Sequence, residues 1–386
     1  MKEIKEVLDL LSDDLIELNE FIYKNPELGN EEFKACEAHT ELLAKEGFQI
    51  EKNFIGIRTA FKGTYDSGKP GPTIAYLAEY DALPGIGHGC GHNILGTVST
   101  GAGIALSRFA QKIGGKVLVI GTPAEETDGA KVDMTDQGVF NDIDVVMMAH
   151  PMDRYYVSIN SLAMEAIEFE FKGQTAHAAA CPEKGINALD AAIGTFNNIN
   201  ALREHVTTST RIHGIIKEGG LAANIVPDKA VVQFYVRATT KTYLQEVVEK
   251  VKNCARGASL AAGTELSIRN YEKSYDNFVS NGVLNNEFET NLKAFGVMEI
   301  KKESEGLGSI DAGNVSHVCP TIHPCFAICE AGVAGHTTEF AEASIQPYAY
   351  EEMNKVMGAL VQTGIRILGD EELLLKIKED FRTAAK

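Results

Sequence analysis

AIEFEFKG, residues 166–173, alternates apolar and charged side chains, with Ile167, Phe169 and Phe171 on one face of a strand and Glu168, Glu170 and Lys172 on the other. That is a half-exposed strand, and the strands before it read differently. IAYLAEYDA (74–82), KVLVIGTPAEE (116–126) and DVVMMAHP (144–151) are compact apolar runs that end in polar residues. Runs of this kind are strands buried on both faces of a parallel sheet. Enough chain separates them for crossover helices, and GTVSTGAGIALSRFAQ (96–111) is one. Near residue 162 the chain therefore passes from one kind of sheet to another.

Beyond that point a helix (185–202), strand-like HGIIKEG and AVVQFYVRAT, a second helix (243–262) and strand-like TELSIRNY follow. The order βαββαβ is that of a ferredoxin-like α+β domain. From about residue 275 helix and strand alternate again, ending in a charged helix. The expected fold is α/β: a mostly parallel, doubly wound domain over 1–161 and 275–386, interrupted by an inserted ferredoxin-like α+β domain over 162–274. The length of 386 residues also favours two domains.

Composition narrows the function. A formal charge of −18 argues against nucleic acid and anionic membranes as partners, since both would repel it. Seven irregularly spaced cysteines do not suggest a disulfide framework and fit a reducing compartment. The N-terminal stretch carries acidic residues in every apolar run, so it reads as an amphipathic helix built on Ile4, Val7, Leu8 and Leu11 rather than a secretion signal. No apolar run approaches the roughly 18 residues of a membrane span. The expectation is a cytoplasmic protein.

The buried-type strands end in potential ligands. The first supplies Glu79 and Asp81 and opens into GHGCGHN (87–93), with Cys90 and His92; the second ends in Glu125 and Glu126, the third in His150. In open parallel sheets, ligands bind outside the carboxyl ends of the strands, and adjacent strands about 4.8 Å apart can share an ion. Thiolate, imidazole and carboxylate together suit zinc or manganese. Consecutive glutamates point in different directions, so one can bind metal while the other acts as general base toward a metal-activated water. This chemistry is amide hydrolysis without a covalent intermediate. A different class stays open: Cys90 as nucleophile with His88 or His92 as base. So does a non-catalytic, metal- or peptide-binding protein.

GHGCGHN, TPAEE, AHP, TAHAA, GGLAANIVPD, GSIDAGNVS and GHTTEF occur in this order, preceded by NPELGNEE (25–32). Together they resemble the dinuclear aminoacylase and glutamate-carboxypeptidase family of metallopeptidases and amidohydrolases, above all its aminobenzoyl-glutamate hydrolase and Xaa-Arg dipeptidase subgroup. The resemblance implies a catalytic metal-binding domain with an inserted lid and dimerisation domain, and two divalent ions per subunit (Zn²⁺ or Mn²⁺, with Co²⁺ able to substitute). It implies Cys90 as the bridging ligand, His92, Glu126, His150 and His336 as further ligands, Glu125 as general base and Asp81 as the group orienting a ligand from behind. Glu79 stands where many relatives have a ligating His. His177 in TAHAA is similar to the family's lid histidine, which reaches the partner subunit's active site in a homodimer. Asn224 and Arg237 match positions that bind a substrate's terminal carboxylate. Arg237 also shares a strand face with Gln233 and Tyr235, away from the core, where a guanidinium suits a carboxylate. GSIDAGNVS (308–316) reads as a tight loop, and the resemblance sets its Ser309, Asp311 and Asn314 beside the substrate pocket. His39, His205, His213, His317 and His323 match no ligand motif and read as structural. The implied substrate is an acyl-amino acid, aroyl-amino acid or dipeptide with a free carboxylate.

Overall fold

The apolar runs become the centre of a six-stranded sheet. In the computed structural model, which describes residues 1–303 and 308–384, the chain separates into two units: Met1–Asn160, Phe278–Leu307 and Asp311–Lys386 form one, Ser161–Asn277 and Gly308–Ile310 the other.

The larger unit begins with helices α1 (Lys2–Lys24) and α2 (Phe33–Lys45) and strands β1 (Gln49–Lys52), β2 (Phe61–Asp66) and β3 (Thr73–Ala78). Then come α3 (His92–Ile113), β4 (Lys116–Gly121), α4 (Ala130–Asp136) and β5 (Val145–Met147). After the inserted unit, α7 (Gly282–Ala294), β12 (Lys301–Glu303), α8 (Ala312–Ser316), β13 (Thr321–Ile322), β14 (Cys325–Ala327), α9 (Thr338–Ala343), α10 (Pro347–Gly369) and α11 (Glu371–Ala384) complete it. The sheet order is β1-β2-β4-β3-β5-β13. β4, β3, β5 and β13 run parallel, while β1 and β2 form an antiparallel edge. Helix α1 presents Ile4, Leu8, Leu11, Leu15, Leu18 and Ile22 as one buried stripe. Each such side chain contributes roughly 1.5–3 kcal/mol by leaving water, enough to dock a helix whose other face is charged. Among the described residues no helix is long and apolar enough to cross a membrane.

DVVMMAHP is not one strand. β5 stops at Met147, and the chain moves into a second sheet, where β6 (His150–Met152) and β7 (Tyr156–Ser158) join β14 and β12 in the order β12-β7-β14-β6. His150 therefore opens a new strand instead of closing the old one. GSIDAGNVS is also corrected: its second half is the short helix α8, with Asp311 as the preceding cap residue.

The inserted unit runs β8 (Ala163–Lys172), α5 (Ala188–Leu202), β9 (Arg211–Glu218), β10 (Lys229–Ala238), α6 (Lys241–Ala262) and β11 (Glu265–Asn270). All its pairs are antiparallel, in the order β11-β8-β10-β9, the ferredoxin-like arrangement. Ile167, Phe169, Phe171, Val232, Phe234 and Val236 form its core together with α5 and α6. Asn187 and Thr240 cap those helices through their side-chain oxygens. One expectation fails on the polar face: Glu168 is buried, because Gln233 (2.7 Å), Arg269 (2.8 Å) and Lys217 (3.4 Å) close over its carboxylate.

Candidate metal centre

Every parallel strand of the large sheet delivers a polar side chain just past its carboxyl end. Glu79 and Asp81 follow β3, both almost fully buried. Glu125 and Glu126 follow β4 through a turn in which Ala124 takes φ +60° and donates its N–H to Glu32 Oε1 at 2.7 Å. His150 lies beyond β5. Helix α3 starts inside GHGCGHN, so His92 occupies its first turn and Cys90 the loop before it. Gly91 between them has φ +78°, and a Cβ there would lie 2.6 Å from Pro151 Cγ, so only glycine fits. His336 arrives from the far end of the sequence with φ +61°, and its N–H donates to the Gly89 carbonyl at 2.8 Å.

Each ligand-type histidine in the cluster has one committed nitrogen or one facing partner. His92 Nδ1 lies 2.9 Å from Asp81 Oδ1 and 3.1 Å from the Asp81 carbonyl, so the proton belongs on Nδ1 and Nε2 presents a lone pair. That nitrogen faces Glu79 Oε2 at 3.2 Å, and both atoms are buried without a hydrogen bond. Two acceptors so placed repel unless a proton or a metal ion lies between them. His150 Nδ1 is 2.7 Å from the Pro151 carbonyl, and its Nε2 is 3.5 Å from Cys90 Sγ. His336 Nε2 meets Glu126 Oε1 at 3.2 Å. Three sets of donor atoms, Cys90/His92/His150, Cys90/Glu126/His336 and His92/Glu125/Glu126, each lie within 4.8 Å of one another. Cys90, His92 and Glu126 each belong to two sets, so the donors suit two neighbouring ions sharing ligands. Asp81 sits behind them: Oδ1 holds His92 and Oδ2 accepts the Glu126 N–H at 2.9 Å.

The electrostatics point the same way. Five carboxyl groups, of Glu79, Asp81, Glu125, Glu126 and Asp311, converge here, three of them fully buried. Burial, reinforced by Glu79 and Asp311, holds Glu125 well above the usual carboxylate range, a setting that favours taking up a proton. Burial also pushes the Cys90 thiol up, although His92 opposes this. Burial works against a charged His92, but Cys90 and Asp81 outweigh it and raise its pKa well above normal, which puts a proton in the place of an ion between Nε2 and Glu79 Oε2. Glu126 raises that of His336.

Two residues of the cluster escaped the sequence reading. Lys131, in the first turn of α4, is fully buried, with Nζ 2.7 Å from both Glu79 Oε1 and Asp311 Oδ1; its backbone N–H reaches Asp311 Oδ2 at 3.2 Å. Asp311 is thus committed to Lys131 through both oxygens. His323, read as structural, follows β13 as His150 follows β5. Its ring centre lies 5.7 Å from that of His150, and both its nitrogens are buried without a hydrogen bond. The repeated His-Pro after a short apolar run, AHP and IHP, was the available signal. His88 turns away, its Nε2 3.1 Å from the Ile22 carbonyl.

The remaining candidates divide between the units. Asn314 is buried in α8 of the larger unit. His177, Asn224, Arg237 and Ser309 belong to the inserted unit. There the Ala178 N–H donates to the Asn224 carbonyl at 3.1 Å, setting Asn224 beside His177. The exposed His177 accepts the N–H groups of Ala179 and Ala180 on Nδ1. Arg237 donates to Ser309 Oγ at 3.1 Å and lies 5.7 Å over the Tyr235 ring. In the larger unit a cavity of about 340 Å³ opens over Cys90, His150 and His336, with Met152, Asp153 and Phe340 on its wall.

Residues 162–261 match the peptidase dimerisation domain of the M20 family. The chain is 34% identical to Xaa-Arg dipeptidase of Mus musculus, over 98% of this chain and 91% of that one. It is also 34% identical to one of the p-aminobenzoyl-glutamate hydrolase subunits of Escherichia coli K12, over 73% and 62% of the respective chains. In three dimensions it resembles a dinuclear metal binding peptidase of the M20 family from Bacillus subtilis, with a TM-score of 0.70, 19% identity and coverage of 93% and 99%. A relative a third identical along almost the whole length, with donors converging at the strand ends, leads to one conclusion: the chain belongs to the M20 peptidase family and is a hydrolase.

Proposed function

We propose that this hydrolase cleaves, in a metal-dependent reaction, an amide bond next to a free carboxylate, in dipeptides or in N-acyl or N-aroyl amino acids. The observation that carries the reading is the pair His92 Nε2 and Glu79 Oε2, two buried acceptors 3.2 Å apart with no hydrogen bond between them, inside a ring of thiol, imidazole and carboxylate donors. Cys90, His92, Glu126, His150 and His336 would hold two divalent ions, Zn²⁺ or Mn²⁺ with Co²⁺ able to substitute. Bound there, the ions would polarise the scissile carbonyl and lower the pKa of a water. Glu125 takes the proton of the attacking water and returns it to the leaving nitrogen, a role its raised pKa favours. Arg237, already oriented by Ser309 and Tyr235, binds the substrate carboxylate together with Asn224. His177 serves the active site of a partner subunit in a homodimer, which its exposed ring would permit. Seven free cysteines fit a cytoplasmic location.

The test is hydrolysis of aminobenzoyl-glutamate, acyl-amino acids and dipeptides ending in Lys or Arg by enzyme stripped with EDTA and then reloaded. Activity should vanish and return with Zn²⁺, Mn²⁺ or Co²⁺. Glu125→Ala should cost roughly 10²–10⁴-fold in kcat while keeping its metal. Turnover that resists chelators but is lost on alkylation of Cys90 would replace this reading with a cysteine nucleophile.

A further inference from the structure

Glu79 divides its two oxygens between different neighbours. Oε1 lies 2.7 Å from the Lys131 ammonium, while Oε2 is buried without a hydrogen bond, 3.2 Å from His92 Nε2. Lys131 has a second partner in Asp311, at 2.7 Å, and the Lys131 and Asp311 side chains are fully inaccessible. A buried ammonium between two carboxylates is a poor device for stability, since desolvation consumes most of the Coulombic gain and apolar packing would do as well. Its geometric effect is specific. Lys131 neutralises and orients one oxygen of Glu79, which fixes the other toward the lone pair of His92. Two ligand atoms each about 2.0–2.2 Å from one ion, at angles near tetrahedral or octahedral, are separated by about 3–3.5 Å. The observed 3.2 Å falls in that range.

We propose that Glu79 is an additional metal ligand beside His92, and that Lys131 is the positioning residue that makes it one, with Asp311 anchoring Lys131 from behind. The inference rests on the metal-dependent reading above. It gives the ion at His92 a carboxylate oxygen in addition to imidazole and thiolate, which shifts that ion's preference toward harder cations such as Mn²⁺ compared with the ion nearer His336.

The test uses the full-length protein, stripped by chelator dialysis and titrated with Mn²⁺, Zn²⁺ and Co²⁺, with affinities from calorimetry, coordination number from the visible absorption of Co²⁺, and the melting temperature of the metal-free form. Glu79→Gln keeps the shape, but its amide oxygen goes to Lys131 and its NH₂ faces the ion. It should lose 10–100-fold affinity for one ion, hold the other within about threefold, and give a more intense Co²⁺ spectrum as a ligand is lost. Lys131→Met should show the same one-ion loss. Asp311→Asn, which loosens Lys131 without removing it, carries the positioning test if Lys131→Met does not fold, with an expected loss of about 3–10-fold. Wild-type affinities and spectrum in Glu79→Gln would remove Glu79 from the ligand set. A Lys131→Met or Asp311→Asn protein that melts lower when metal-free but binds both ions normally would make Lys131 merely structural. Wild-type protein that binds no ion at all would instead defeat the metal-dependent reading itself.

Discussion

Burial holds the Glu32 carboxyl at a pKa of about 7, and this makes the stability of the fold depend on pH. Its Oε1 accepts the Ala124 N–H, while Oε2 is buried without a hydrogen bond. Between the unfolded value near 4.5 and the folded value near 7, the folded chain keeps a proton that the unfolded chain has released. Stability from this group is therefore fully present below pH 4.5 and is lost as pH rises through 7. Glu32→Gln keeps the acceptor and removes the titration. In denaturant unfolding the variant should match wild type near pH 4.5 and exceed it by on the order of 3 kcal/mol at pH 8; parallel curves would show that Glu32 does not titrate this way. At this scale the sequence was legible where a motif concentrated donors. Cys90, His92, Glu125, Glu126, His150 and His336 do meet, the first five just beyond the carboxyl ends of β3, β4 and β5 and His336 from the segment before α9. Lys131 was not legible: within AKVDMTD it looks like any lysine on a polar helix, and only the tertiary fold turns it inward to Glu79 and Asp311.

The junction of loop and helix at Gly91 sets the spacing of Cys90 and His92, the proposed ligands on either side. Alanine there meets both a left-handed backbone, worth about 1–2 kcal/mol, and a Cβ 2.6 Å from Pro151 Cγ. Relief requires moving either the loop end and helix start that carry Cys90 and His92 or the strand that carries His150. Gly91→Ala should therefore lower thermal stability and lose at least tenfold in metal affinity, read by metal content after gel filtration. Normal stoichiometry would show that the loop tolerates the shift. Element types followed from periodicity: alternation in AIEFEFKG announced the antiparallel unit, and unbroken apolar runs announced the parallel one. Where one element ends and another begins was harder to read. VVMMAHP is apolar throughout, so nothing in it marks the passage from β5 to β6, which depends on pairing with β14, some 175 residues later.

At the scale of the molecule, β9 is an edge strand that leaves Ile215 60% and Ile216 44% exposed. Open edges with apolar side chains invite pairing with another chain, and this unit matches a dimerisation domain. Wild-type protein should sediment at twice the mass of one chain, and Ile215→Lys with Ile216→Lys should sediment at one. A dimer that survives both charges would place the contact elsewhere, and an active wild-type monomer would end the trans role given to His177. The tie between His336 and Gly89 has a consequence for synthesis. His336 leaves the ribosome 186 residues after His150, a delay of roughly 10–40 s at 5–20 residues per second. Through that interval the nascent chain carries Cys90, His92, Glu126 and His150, four of the proposed ligands, without the fifth. On the metal-dependent reading, whichever metal the cell offers first to those four donors would have a head start on the finished centre.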